Sequence, residues 1–242
     1  ELVSGLGGIN ISQTALDGCY RAEDGAVINT EAFRRGFFHV QDMSSQLCCH
    51  ALAPAGNDLV LDICAAPGGK TFTMAELMNG TGQIYAFDLH QKRVKLIMDG
   101  AQRLGLTNIT AAVGDASRYN AELPQFTKIL CDVPCSGIGV IARKPEIKYK
   151  SLSEFAKLPD IQYRIAENAL RYLAPGGEMV YSTCTLRKAE NDEVVDRLLS
   201  ENPGLEPCEL PSVERGSRAT LFPGSGSGDG FFIAKFKNRN ER

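Results

Sequence analysis

From Asp58 onward the chain repeats one unit, a short apolar run that stops at an acid and leads into a helix-length segment. No other feature restricts the fold as strongly. Leu59-Val60-Leu61-Asp62-Ile63 reads as a strand, Gly68-Gly69 as a turn, and residues 70–78 as the start of a helix. Residues 83–87 give a second strand ending at Asp88, followed by a helix over 91–104 that Gly105 closes. Residues 108–113 and 128–131 give two more strands, ending near Asp115 and at Asp132. Beyond a basic connection, Ile161, Ile165, Ala169, Leu170 and Leu173 share a helical face, and Pro175-Gly176-Gly177 is expected to end that helix. A strand over 178–182 running to Cys184, a helix over 190–199 and a last strand over 231–236 complete the pattern. The last strand follows a run read as flexible, Gly224-Ser225-Gly226-Ser227-Gly228. Strands and helices alternating at this spacing predict an α/β fold, a mostly parallel sheet with helices on both faces.

Such sheets bind ligands beyond the carboxyl ends of their strands, where Asp62, Asp88, Asp115, Asp132 and Cys184 all fall. The first turn, Cys64-Ala65-Ala66-Pro67-Gly68-Gly69-Lys70-Thr71, ends like a phosphate loop, but Cys64 stands where that loop needs its first glycine. The G-x-G-x-x-G dinucleotide fingerprint is absent as well. What remains is a loop of small residues against which a ligand can lie. Asp88 is placed to accept hydrogen bonds from ribose hydroxyls, and Asp115 to receive an adenine amino group. One strand-end acid reads as a cap, but three in register point to an adenosyl ligand without a polyphosphate. S-adenosylmethionine is the common one.

With 242 residues and 43% hydrophobic content the chain can bury one substantial core, which excludes a disordered chain. No apolar run approaches the roughly 18 residues of a membrane span and no signal segment opens the chain, so a cytoplasmic protein without membrane contact is expected. The eight cysteines follow no disulfide framework and are expected to be reduced thiols. Cys131 and Cys135 lack a second close pair, and His39, His50 and His90 sit at no ligand spacing, so no metal is expected. The net charge of −3 argues against a chain that is basic throughout, yet nucleic-acid binding needs only one basic face. Arg143, Lys144, Lys148 and Lys150 cluster around Glu146, whereas Lys235, Lys237, Arg239 and Arg242 read as a solvated tail. Residues 1–35 are polar and Gly-rich, which predicts a loosely built N-terminal extension.

Two cysteines stand in short motifs of small or rigid residues, Asp132-Val133-Pro134-Cys135-Ser136-Gly137 and Ser182-Thr183-Cys184-Thr185. Each follows an apolar strand, so both thiols are expected at one edge of the sheet, where zinc, redox and nucleophilic roles are all open. One chemistry needs such thiols. C5 of a pyrimidine is a poor nucleophile until a thiolate adds at C6, and a second group then helps expel the enzyme. Asp132, three residues before Cys135, is placed to hydrogen-bond the base as the adduct forms. Cys19, Cys48, Cys49, Cys64, Cys131 and Cys208 read as small buried hydrophobes.

At these residues the chain resembles the RNA 5-methylcytosine methyltransferases of the Sun/Fmu and NOL1/NOP2 group, over roughly residues 36–237. Val40-Gln41-Asp42-Met43-Ser44-Ser45-Gln46 is similar to the family's opening segment, and residues 62–71 to its cofactor loop. Residues 132–137 and 183–185 are similar to its proline-cysteine and threonine-cysteine motifs, and residues 229–234 to its final strand. The resemblance implies a Rossmann-like class I S-adenosylmethionine-dependent fold with a seven-stranded sheet. It implies Cys184 as nucleophile and Cys135 in product release; spacing alone does not assign those roles. DNA cytosine methyltransferases attack with the proline-cysteine thiol, so the extra thiol at Cys184 favours the RNA family. Cofactor contacts are implied at Cys64, Ala65, Ala66, Pro67, Gly68, Gly69, Lys70, Asp88, Arg93, Asp115 and Asp132. Asp132 is left to serve the cofactor, the base or both.

Residues 139–149 are similar to the connection in the bacterial branch that acts on small-subunit ribosomal RNA, which implies RNA contacts at Arg143, Lys144 and Lys148. Val133 and Tyr149 depart mildly from the family's usual alanine and tryptophan. That branch carries an N-terminal helical RNA-binding domain with no counterpart here, and the chain opens on Glu1 instead of methionine. A catalytic portion of a longer protein is therefore expected, with the extension over 1–35, the catalytic domain over 36–237 and a charged tail over 238–242. The implied activity is methylation of C5 of a cytosine in RNA, most directly 16S ribosomal RNA. Transfer RNA or another RNA as substrate stays open, as does a non-catalytic RNA-binding role in ribosome assembly. Oligomeric state is not legible.

Overall fold

The apolar runs split their side chains between two layers, residue by residue, as a strand's period of two requires. In the computed structural model, which describes residues 6–23, 25–210, 216–224 and 228–239, Val60, Leu130, Val180 and Ile233 enter one core and Leu61, Ile129, Cys131, Met179 and Tyr181 the other. The strands that carry them are β3 (Leu59–Asp62), β6 (Phe126–Asp132), β7 (Leu173–Thr183) and β10 (Phe231–Asn238). The first core is closed by α2 (Met43–Leu52) and α3 (Gly69–Leu77), and the second by α5 (Leu158–Leu170) and α6 (Asp192–Glu201). Both faces of the sheet are thus covered, which is why its central strands carry consecutive apolar residues such as Leu59-Val60-Leu61, Ile129-Leu130-Cys131 and Met179-Val180-Tyr181.

Strands β4 (Gln83–Asp88) and β5 (Ile109–Val113), joined by α4 (Gln91–Leu104), extend the sheet on one side. Strand β8 (Leu205–Pro207) ends it on the other, giving the order β5-β4-β3-β6-β7-β10-β8. Pairings from β5 to β7 are parallel, and β10 runs antiparallel to β7. Six of these strands are the ones that the alternation predicts, the seventh on the path, β8, was not foreseen, and the total of seven matches what the resemblance implies. Strand β9 (Arg218–Leu221), not foreseen, adds an eighth by pairing with the other half of β10's free edge. The chain leaves β3 toward β4 and β5, then returns to β6 on β3's opposite side. The crevice between β3 and β6 is therefore the switch point where such sheets take ligands.

Three expectations need correction. Pro175-Gly176-Gly177 does not end a helix: α5 stops at Leu170, and these residues lie within β7. The register jumps there from Phe126↔Leu173 to Lys128↔Glu178, because Pro175 has no N–H for the ladder and Gly176 sits at φ 73°. Leu173 falls on the helical period by coincidence; it belongs to the sheet. Residues 190–199 do not form one helix either, since Lys188–Glu190 is a 3₁₀ turn and α6 begins at Asp192. Finally, the N-terminal segment holds a hairpin, β1 (Ile11–Gln13) with β2 (Tyr20–Ala22), and a short helix, α1 (Glu31–Arg34). Residues 225–227 of the run read as flexible, and 240–242 of the tail, lie outside the described residues. Among the described residues no helix is long and apolar enough to cross a membrane.

Candidate active site

Asp132, the last residue of β6, sits in register with Ser182 of β7, so the two cysteine motifs leave the sheet side by side. Their thiols meet: Cys135 Sγ lies 3.3 Å from Cys184 Sγ. The Cys135 thiol donating to it holds Cys184 below the ordinary thiol range against the opposing effects of burial and Asp132, with Lys70 and Lys144 helping. Cys135, which carries the shared proton and is buried, is pushed well above that range. Two identical side chains thereby become unequal, with Cys184 the more readily ionised of the two.

Close backbone contacts fix the loops that carry them. Gly139 N–H donates to Cys184 O at 3.0 Å, and Gly230 N–H to Gly139 O at 2.9 Å. A Cβ on Gly139 would lie 2.0 Å from Gly230 O, so only glycine fits. A second tie comes from a residue that reads from the sequence as the first of a helix. Glu190 is fully buried, and its carboxylate accepts from Ser136 N–H at 2.8 Å, Gln162 Nε2 at 2.9 Å and Arg187 Nη1 at 2.9 Å. Next to it, Asn191 Oδ1 accepts from Thr183 Oγ1 at 2.6 Å, and Asn191 Nδ2 donates to Thr185 O at 2.9 Å. The only sequence signal for either was a polar pair shortly after the Thr-Cys-Thr motif, which helix capping explains equally well.

Beside the thiols, both oxygens of Asp132 are engaged. Lys70 Nζ lies 2.8 Å from Oδ2, and Ser182 Oγ donates to Oδ1 at 2.8 Å. Burial works to lower the Lys70 pKa, but the adjacent Asp132 carboxylate outweighs it and keeps the ammonium charged. Lys70 belongs to the first turn of α3 and so crosses the β3/β6 crevice. The turn before it needs Gly68, which sits at φ 112° with the Phe72 ring 2.5 Å from where a Cβ would be.

A cavity of about 800 Å³ opens over this crevice and reaches the thiols at its far end. Of the residues expected at the cofactor, Cys64, Ala66, Asp88, Arg93, Asp115 and Asp132 line it. Ala65, Pro67, Gly68, Gly69 and Lys70 shape the loop behind. Arg93, which gave no signal beyond the resemblance, ties the site together by bonding Asp88 Oδ2 at 3.0 Å and Ala66 O at 2.6 Å. Leu89, unforeseen and 56% exposed beside Asp88, offers an apolar face. Asp115 is held below the ordinary carboxylate range by the side chain and N–H of Ser117. Asp62 is fully buried, bonded at Oδ2 by Thr71 Oγ1 at 2.7 Å, while its Oδ1 has no partner. Burial pushes its pKa up to about 7. An adenosyl ligand with a cationic end fits this set, since Asp88 and Asp115 line one part of the cavity and Asp132 the part beside the thiols.

The basic connection divides. Lys144 lines the cavity mouth and Lys148 is exposed, whereas Arg143 forms an ion pair with Asp229. Its guanidinium therefore joins the connection to the start of β10 as well as facing solvent.

A family model described as 16S rRNA methyltransferase RsmB/F matches residues 49–237. A probable ribosomal RNA small subunit methyltransferase B of Bacillus subtilis is 42% identical over 89% of this chain and 51% of its own length. The chain spans about half the length of the curated relatives it matches. A methyltransferase homolog protein from Pyrococcus horikoshii superposes with a TM-score of 0.83 at 30% identity, over 98% of this chain and 81% of that one. NSun6 from the same organism, solved with the S-adenosylmethionine analogue SFG, gives 0.81 at 29% identity, over 88% and 56%.

Proposed function

The chain belongs to the 16S rRNA methyltransferase RsmB/F family, and from that premise we propose that it methylates C5 of a cytosine in RNA, with small-subunit ribosomal RNA as substrate. The observation that carries this reading is the pair of unequal thiols 3.3 Å apart at the end of a cavity lined by strand-end acids. S-adenosylmethionine supplies an electrophilic methyl group when bound. Asp88, Asp115, Arg93 and the 64–70 loop hold it, and residues 36–237 make up the catalytic unit.

The cytosine must leave its stack to enter the cavity. The Cys184 thiolate adds to C6, which places electron density on C5. Asp132, held by Lys70 and Ser182, accepts from the exocyclic amine of the base, while the Lys70 ammonium beside it offsets the accumulating charge. After methyl transfer, solvent takes the C5 proton, its electron pair re-forms the C5–C6 double bond, and the C6–S pair returns to Cys184. The Cys135 S–H then donates to the departing thiolate, restoring the resting pair. One hydrogen bond serves both attack and release.

The test supplies methyl-labelled S-adenosylmethionine to the purified protein with naked small-subunit ribosomal RNA or transfer RNA, and locates the label by bisulfite sequencing. Label on a ribosomal cytosine is expected. Label on transfer RNA alone would reassign the substrate, and cofactor binding without transfer to any RNA would favour an assembly factor.

Two further results are expected. Ionised Asp62 adds a negative charge behind the cofactor loop, where it is bonded to Thr71 and favours a cationic ligand, and its ionised fraction rises as pH passes through about 7. Cofactor affinity measured by calorimetry should therefore strengthen from pH 6 to pH 8, and Asp62→Asn should flatten that dependence. Lys148→Ala and Lys144→Ala should weaken RNA binding uniformly across sequences, each reducing the slope of log K against log salt by about 0.7 to 1. A slope equal to wild type would remove that lysine from the RNA path.

A further inference from the structure

We propose that Glu190 and Asn191 are positioning residues that set the separation of the two thiols, so that release of the methylated base depends on them. The proposal rests on the covalent reading above and adds to it the device that makes the two cysteines unequal. Neither side chain touches a sulfur. Glu190 binds the loop of the releasing thiol through Ser136 N–H, one residue after Cys135. Asn191 binds both sides of the nucleophile, through the hydroxyl of Thr183 and the carbonyl of Thr185. Two consecutive residues thus grip two loops that are 49 residues apart in sequence. Ser136 Oγ and Thr185 Oγ1 close the ring directly, at 2.8 Å.

The clamp is itself anchored. Tyr181 OH donates to Glu190 O at 2.6 Å from within β7, and Gln162 of α5 bonds both Glu190 and Pro134 O, at 2.9 and 3.0 Å. The sheet therefore holds Glu190 by its carbonyl, α5 and the Cys135 loop hold it by its buried carboxylate, and the adjoining Asn191 side chain takes the Cys184 loop. A sulfur–sulfur hydrogen bond is weak and long, and two loops left to themselves do not hold it. Charge-assisted bonds from a fixed carboxylate do. When the base departs, the electron pair of the breaking C6–S bond goes to Cys184, which leaves readily only if the Cys135 S–H is already in place. A slack clamp leaves attack possible and release impaired, although Cys135 itself is intact.

Two measurements on Glu190→Gln test this, one of which needs no RNA. The pH profile of Cys184 alkylation by iodoacetamide, followed by mass spectrometry, should move to higher pH as the thiol recovers its ordinary acidity. In the methylation assay, turnover should fall about tenfold, the cost of one bond to a charged group. A covalent protein–RNA adduct should accumulate on a denaturing gel, with cofactor affinity unchanged. In a Cys135→Ala background the same change should add nothing, because no releasing thiol is left to place. Thr185→Val, which keeps the side chain's shape and removes the direct bridge, should act in the same direction and carries the test alone if Glu190→Gln does not fold. An unshifted alkylation profile in a folded variant would overturn the proposal whatever the RNA substrate. So would full additivity with Cys135→Ala. A shifted profile in a protein that methylates no RNA would instead leave the clamp standing and sink the covalent reading.

Discussion

Replacing Cys184 with alanine is expected to stop methylation and leave the cofactor bound. The residue follows β7 directly and its thiol lies 3.3 Å from Cys135, with Lys70 and Lys144 favouring its ionised form. Without it the remaining thiol of the pair, Cys135, whose pKa is raised by its bond to Cys184 and by burial, still carries the burial and does not replace the attacking thiolate, and an unactivated C5 does not attack a methyl donor at a useful rate. Loss of a nucleophile typically costs a factor of about 10⁴ or more. The cofactor residues lie on β3, β4 and β5 and their loops, away from β7, so calorimetric affinity should be unchanged. Trapping experiments with RNA should give no covalent band. Undiminished turnover would end the nucleophile assignment.

Cys135→Ala should have the opposite signature on the gel, an accumulated adduct. With the donor removed, the Cys184 thiol loses the largest influence holding its pKa down, so attack slows at neutral pH. Departure slows more, because the leaving thiolate must form without its hydrogen bond, and a poorer leaving group departs more slowly. Turnover should drop by a factor of about 10² to 10³, the range for losing a proton-handling group. The pH optimum should move upward as Cys184 returns toward ordinary thiol acidity. Normal turnover with no adduct would remove Cys135 from the release step.

Much of this site was legible before any coordinates because its residues mark strand ends. Asp62, Asp88 and Asp132 close β3, β4 and β6, and Asp115 and Cys184 come just beyond β5 and β7. A parallel sheet brings such ends to one edge. The strands themselves were legible as apolar runs, and α4 as a helix closed by Gly105 at φ 69°. The errors came where one local signal served two structures. Pro175-Gly176-Gly177 looks the same whether it ends a helix or breaks a strand's register, and only the neighbouring strand β6 decides. Other contacts lie beyond any local signal without overturning a reading: the ion pair of Arg143 with Asp229 joins residues 86 positions apart and leaves the guanidinium facing solvent.

What the sequence determined by itself was the sheet, its acid-lined edge and the presence of two thiols there. Periodicity and strand-end chemistry are local properties that a chain carries in consecutive residues. What only the tertiary structure decided was that the thiols touch, that Lys70 and Ser182 hold Asp132, and that Glu190 and Asn191 clamp both loops. Those are contacts between residues from 6 to 62 positions apart, made through single polar atoms at 2.6 to 3.3 Å. No period or motif encodes a distance of that kind. It arises when strand register and buried polar atoms in need of partners are satisfied together.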